Sequence, residues 1–124
     1  MNKERIHQFK EEIESWKRVL GFLQAENNYL KIRLANLVNR EVSQKFLAKA
    51  ESLQNELIQK DELIILNRSA LSDFDKWLGQ YAQSNEETNS ILEKREFIRE
   101  QVVQLENKFS RHTAEFNDHL IEIL

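Results

Sequence analysis

The chain has 124 residues, of which 31% are charged and 40% hydrophobic, with a mean hydropathy of -0.65 and a formal net charge of -3. This length is typical of one domain, and the apolar content is too high for a disordered tail. Proline and cysteine are absent and glycine occurs twice, which disfavours strand-and-turn architecture and excludes disulfides and thiolate metal sites. The negative charge disfavours a nucleic-acid binder, and no apolar run approaches the roughly 20 residues of a membrane span. We therefore expect a helical protein, with the cytoplasm as the default location.

The first segment carries the clearest heptad repeat. Its a and d positions hold one polar residue, Asn27, among apolar ones. The apolar positions are Ile6, Phe9, Ile13, Trp16, Leu20, Leu23, Leu30, Leu34 and Leu37. This spacing predicts one helix over about residues 3–38.

The repeat loses its register after Leu37, where the next heptad positions are polar. Asn39 is suited to cap a new helix, because its side-chain oxygen can accept a hydrogen bond from a free backbone amide. We therefore predict a tight turn at residues 39–43. A stutter within one continuous helix also accounts for the slip, so the sequence leaves open whether the chain folds back here.

Two further helices are predicted. The second covers about residues 42–82, with a kink or break near 67–72 as an alternative, because Ser72 and Asp75 have the spacing that caps a restart. A polar stretch follows, in which Ser84 and Glu87 have capping-box spacing. The third helix is predicted over about residues 86–124.

The apolar stripes of the first and third helices are wider than the seam of a two-stranded coiled coil. Phe22, Tyr29 and Ile32 widen the first stripe, and Phe97 and Val103 widen the third. Stripes of this width predict contact with two neighbouring helices, and short turns make neighbours antiparallel. The predicted fold is therefore an all-α, elongated, up-down-up three-helix bundle with coiled-coil-like packing, formed by residues 1–124 as a single domain.

Asn27 and His112 are candidate register-setting residues in the core. With turns near residues 41 and 84, the level of Asn27 also contains His112 and residues near Asn55–Glu56. We hypothesise a hydrogen-bonded polar layer that fixes helix register, and we expect leucine at Asn27 and His112 together to raise the melting temperature. A single core Asn also sets register in parallel coiled coils, so a parallel homodimer through the first helix is the alternative.

Few residues suggest chemistry. His112, Glu115 and His119 share one side of a helix and are weak candidates for metal ligands, although polar residues beside a helix interface are the favoured interpretation. Gly-rich loops and nucleophile elbows are absent, so we expect no enzyme, no cofactor and no small-molecule substrate. Trp77 and Tyr81 are candidates for a partner contact, because Trp and Tyr are enriched at interfaces.

These features favour a non-catalytic protein–protein interaction module, such as a scaffold, an adaptor or a subunit of an assembly. Burial of apolar helix faces would supply affinity, and the charge pattern would select the partner. The partner is expected to be another protein or a second copy of the chain. A metal-binding helical bundle is a further alternative, and neither nucleic acid nor a membrane span is expected.

Overall fold

The computed structural model describes residues 3–40, 43–81 and 88–123, and side chains for 3–40, 43–80 and 89–120. Within these ranges the chain forms three α-helices, namely α1 (Lys3–Arg40), α2 (Gln44–Tyr81) and α3 (Thr88–Ile123). Helices of 36 to 38 residues are about 55 Å long at about 1.5 Å per residue. All three pack against one another, as predicted for a three-helix bundle.

Contacts between side chains give the helix directions. Lys31 of α1 forms an ion pair with Asp61 of α2, and Lys17 lies 3.6 Å from Asp75. Residue numbers rise along α1 as they fall along α2, so these two helices are antiparallel. Numbers rise together along α1 and α3, which makes these two parallel; the bonded pairs are Glu12–Arg95, Glu26–Thr113 and Arg33–Asn117. The bundle therefore runs up, down and up.

The boundary between α1 and α2 differs in detail from the sequence prediction. Asn39 lies inside α1, so the expectation that it caps the second helix is wrong. Ser43 takes that role: its hydroxyl accepts a hydrogen bond from the backbone amide of Phe46 at 3.2 Å, and its carbonyl accepts from Leu47 at 3.0 Å. The chain folds back here, so a continuous helix through residues 39–43 is excluded.

The second helix runs without interruption through residues 67–72. The Asn67 amide donates to the carbonyl of Leu63 at 2.8 Å, a local bond within the helix that leaves its neighbours helical. The break considered at this point is therefore absent. The capping pair Ser84 and Glu87 lies outside the described residues.

Not all of the wide apolar stripes are used inside the bundle. Val19 and Val38 of α1 are partly buried and pack on the core. Phe22, Tyr29 and Ile32 are instead 61–68% exposed, and Phe97 and Val103 of α3 are 60% and 42% exposed. The expectation that the full stripes contact neighbouring helices is therefore wrong for these residues.

No helix within the described part of the chain combines the length and apolar character needed to cross a bilayer.

Candidate functional site

The core is divided into two apolar clusters by a layer of buried polar residues, which we call the polar layer. It consists of Asn27, Lys60 and His112, one from each helix, which are 0%, 2% and 7% exposed. The larger cluster includes Ile13 and Leu20 of α1, Leu71 and Leu78 of α2, and Ile91 and Phe109 of α3. The smaller includes Leu30 and Leu34, Leu53 and Leu57, and Phe116 and Leu120.

Heptad spacing explains why three polar residues meet at one level. In α2 the buried positions recur at intervals of three, four and seven residues, and Lys60 falls in this core series. The other buried residues of the series are Phe46, Ala50, Leu53, Leu57, Ile64, Leu71, Phe74 and Leu78. His112 continues the same spacing from Leu105 and Phe109 in α3. Asn27 does so from Leu20 and Leu23 in α1.

Asn27 joins α1 to α2. Its amide nitrogen donates to the carbonyl of Leu57 at 2.9 Å and to the Asp61 carboxylate at 2.7 Å. The other carboxylate oxygen of Asp61 accepts from Lys31. The Asn27 Oδ1 atom is buried and has no hydrogen-bond partner among the described residues. We therefore expect this side chain to fix the position of α1 relative to α2 more than it adds to the free energy of unfolding.

Lys60 and His112 join α2 to α3. Lys60 Nζ lies 2.9 Å from His112 Nδ1 and 4.4 Å from the centroid of the Phe109 ring. His112 Nε2 lies 2.6 Å from the Glu56 carboxylate. A neutral imidazole with its proton on Nε2 satisfies both contacts, accepting from Lys60 and donating to Glu56.

Burial shifts the titration of both groups. Removal of the ammonium from water lowers the pKa of Lys60 from 10.5 to about 8, against the opposing pull of Glu26, Glu56 and Asp61. Burial, and then the charge of Lys60, lower the pKa of His112 below 6.5, while the contact with Glu56 acts in the opposite direction. The imidazole is therefore held neutral at pH 7.

A groove of about 240 Å³ between α2 and α3 opens over this pair. Two bases and two acids line it beside Lys60 and His112, namely Lys108, Arg111, Glu56 and Glu115. Counting Lys60, three basic and two acidic side chains line the groove, and the innermost polar atoms bond to one another. The arrangement is chemically suited to fixing helix positions.

The three weak candidates for metal ligands, His112, Glu115 and His119, all lie within α3. Across the described ranges no three His, Asp or Glu side chains are grouped so that they could hold an ion. Both ring nitrogens of His112 contact protein groups, Lys60 and Glu56. His112 therefore belongs to the polar layer, and Glu115 and His119 do not join it as ligands.

The candidate partner contact near the end of α2 is only half described. Trp77 is partly buried, stacks on Phe74 with ring centroids 6.4 Å apart, and has Lys94 Nζ 4.9 Å from its own ring centroid. It lines a groove of about 460 Å³ together with Phe97. The Tyr81 side chain lies outside the described residues.

A second surface feature lies on the outer face of α1, opposite its core positions. Phe22, Ala25, Tyr29 and Ile32 are all exposed and follow one another at intervals of three, four and three residues. We call these four residues the outer seam. The same spacing defines the core seam of a coiled coil, so α1 carries two such seams on opposite faces.

Sequence reasoning did not include Lys60 or Asp61 among the candidate site residues. In an apolar stripe a lysine indicates an interruption, because lysine is almost never fully buried without a partner. The partner, His112, lies 52 positions away and on another helix. The one sequence signal that identifies Lys60 is its position three residues after Leu57 and four residues before Ile64, which continues the core spacing on both sides.

Comparison with family models, curated proteins and solved structures finds no match for the chain.

Proposed function

We propose that this chain is a non-catalytic helical interaction module of the cytoplasm, and that its outer seam binds a helix of another protein chain. The observation that carries the proposal is the exposure of Phe22, Tyr29 and Ile32 at coiled-coil spacing on one face of α1. Helices with apolar anchors at such intervals bind the complementary face of a second helix.

The energetic argument is the cost of leaving these side chains in water. Burying one large apolar side chain contributes about 1.5–3 kcal/mol. Three such residues lie within about three turns of α1, and their burial would contribute several kcal/mol to binding before the cost of association is subtracted. Ala25 between them lets the partner helix approach closely.

Other exposed apolar residues support a docking role less well. Phe97 lies in its groove beside Glu93 and Lys94, and no second large exposed residue of α3 follows it at heptad spacing. Leu47 and Ile58 of α2 are 43% and 46% exposed, and lie eleven positions apart in a groove with Lys31 and Glu51. Ile65 and Leu66 of α2 are 65% and 64% exposed, but they are aliphatic. The outer seam differs from these residues in holding two exposed aromatic side chains, Phe22 and Tyr29, at coiled-coil spacing.

Site-specific photo-crosslinking in the source cells tests this function. A photoreactive phenylalanine analogue at Phe22 should yield a covalent product with a protein chain, because Phe22 is the most exposed large side chain of the outer seam, at 68%. The same analogue at Phe97, which is similarly exposed, is the matched control and should yield little product. Equal yields at the two positions, or none at either, would contradict the proposal.

A further inference from the structure

We propose that the outer seam binds the outer seam of a second copy of this chain, with the two α1 helices antiparallel about a two-fold axis. The inference rests on the proposed function, because it assigns an occupant to the same surface. It is supported by three properties of the seam: the sizes of its residues, the composition of its two edges, and the area that it offers.

The residue sizes are self-complementary in the antiparallel arrangement. A two-fold axis that places Ala25 opposite Tyr29 of the second copy also places Phe22 opposite Ile32. Each layer then combines one ring with one smaller side chain, as good packing requires. A parallel arrangement would instead place Ala25 against Ala25 and Tyr29 against Tyr29, leaving a gap in one layer and crowding the next.

One edge of the seam is small and uncharged. It contains Gly21, Asn28 and Ala35 at heptad intervals. A Cβ atom added at Gly21 would meet no atom within 4 Å, so the space beside the seam is open to a second helix. In the antiparallel pair this edge faces itself, which brings Asn28 close to Asn28 of the second copy and Gly21 close to Ala35.

The opposite edge carries charges of both signs. Glu26 accepts a hydrogen bond from Thr113 at 2.8 Å, and Arg33 donates to Asn117 at 3.1 Å, so both side chains are held at the boundary between α1 and α3. Two-fold pairing places Glu26 of one copy beside Glu26 of the other near the axis, with Arg33 of each copy about two turns further out. The edge carries no net charge, but the two glutamates oppose pairing at its centre, so we expect a weak and reversible association.

The available area points to a reversible dimer. Aromatic side chains bury about 150–250 Å² each when fully covered, and the seam residues are about two-thirds exposed before association. With the edges included, two copies bury on the order of 1,000 Å², near the lower limit for a specific interface. We therefore expect a dimer that dissociates on dilution into the micromolar range.

Disulfide pairing tests both the surface and the direction. Arg18 and Asn36 extend the seam by one step at its two ends, are exposed, and face each other across the two-fold only in the antiparallel pair. The natural chain has no cysteine, so Arg18→Cys and Asn36→Cys each introduce a single thiol. In a glutathione redox buffer, a mixture of the two variants should form a mixed disulfide dimer, while each variant alone should form little disulfide.

Two further variants serve as controls for the surface. Adding Phe22→Glu to both thiol variants should reduce the mixed disulfide at least tenfold, whereas adding Phe97→Glu should leave it unchanged. Each variant alone forming the disulfide would overturn the antiparallel direction, and no disulfide in any combination would overturn self-association. A crosslink from position 22 to a different protein in cells would still support the proposed function, so the two failures are distinguishable.

Discussion

Replacing His112 with leucine tests whether the polar layer stabilises the buried ammonium of Lys60. Lys60 is 2% exposed and its Nζ atom lies 2.9 Å from His112 Nδ1. Leucine removes that acceptor and leaves the ammonium buried against the Phe109 ring. Glu56 loses its 2.6 Å contact at the same time, although it is better placed to reach water.

The size of the effect follows from two opposing contributions. Leaving the buried ammonium without its neutral imidazole acceptor costs about 3–4 kcal/mol, because an unsatisfied buried donor costs more when it is charged, and the additional apolar burial of leucine offsets about 1 kcal/mol of it. We expect a net loss of about 2–3 kcal/mol in the free energy of unfolding. At about 4 °C per kcal/mol for a chain of this size, the melting temperature should fall by about 10 °C.

Urea unfolding followed by circular dichroism measures this loss, and a double-mutant cycle assigns its cause. Lys60→Met removes the buried charge, so His112→Leu combined with Lys60→Met should be at least as stable as the natural chain. The coupling between the two substitutions should be at least about 2 kcal/mol. A His112→Leu variant as stable as the natural chain, or additive effects in the cycle, would refute the assignment.

The contact between Lys60 and His112 also revises the effect on stability that the sequence predicts for leucine in the polar layer. Leucine at both Asn27 and His112 is predicted from the sequence to raise the melting temperature, which assumes that these two residues dominate the layer. Lys60 reverses that expectation, because the double leucine variant leaves the lysine without its acceptor. Leucine at Asn27 alone should change stability by less than about 1 kcal/mol, since its Oδ1 atom has no partner among the described residues.

Three further predictions concern single contacts. The pKa of Lys60 is about 8 in the folded chain and 10.5 in the unfolded chain, so the folded chain loses this proton at lower pH. The free energy of unfolding should therefore rise by up to about 3 kcal/mol between pH 8 and 10.5. Urea midpoints should show this rise in the natural chain and a smaller one in Lys60→Met. Arg95 donates two hydrogen bonds, of 2.7 and 2.9 Å, to the Glu12 carboxylate. Arg95→Lys should lower the free energy of unfolding by about 1 kcal/mol, because lysine cannot reproduce the two-point contact. An unchanged urea midpoint would contradict this. Ser43→Ala should cost about 1 kcal/mol through loss of the N-cap, whereas Ser43→Asp should retain the natural melting temperature in a thermal scan.

The fold was accessible from sequence because its signals are local and repeated. The heptad of α1 places Leu20, Leu23 and Leu30 in the core whatever the partner is, and the absence of proline removes most alternatives. The cap at Ser43 was missed because Asn39 has an equally suitable side chain. The packing of α1 on α2 determines whether Asn39 or Ser43 is the residue that caps the second helix.

The candidate site was less accessible because it depends on contacts between distant residues. Asn27 and His112 stand out as polar residues in an apolar series, but the pairing of His112 with Lys60 depends on the stagger between α2 and α3. The outer seam was hidden for another reason. Phe22, Tyr29 and Ile32 are residue types that also occur in helix cores. The sequence does not indicate which of the two apolar faces of α1 the other helices cover.

Molar mass in solution, measured by light scattering after size exclusion over a range of concentrations, tests the role of the outer seam most directly. The molar mass of the natural chain should rise with concentration from 14.8 kDa towards twice that value. A Phe22→Glu, Tyr29→Glu variant should stay at the monomer mass, with its melting temperature within about 2 °C of the natural chain because both side chains are exposed. A natural chain that stays monomeric up to millimolar concentration, or a seam variant that associates equally well, would contradict pairing through α1.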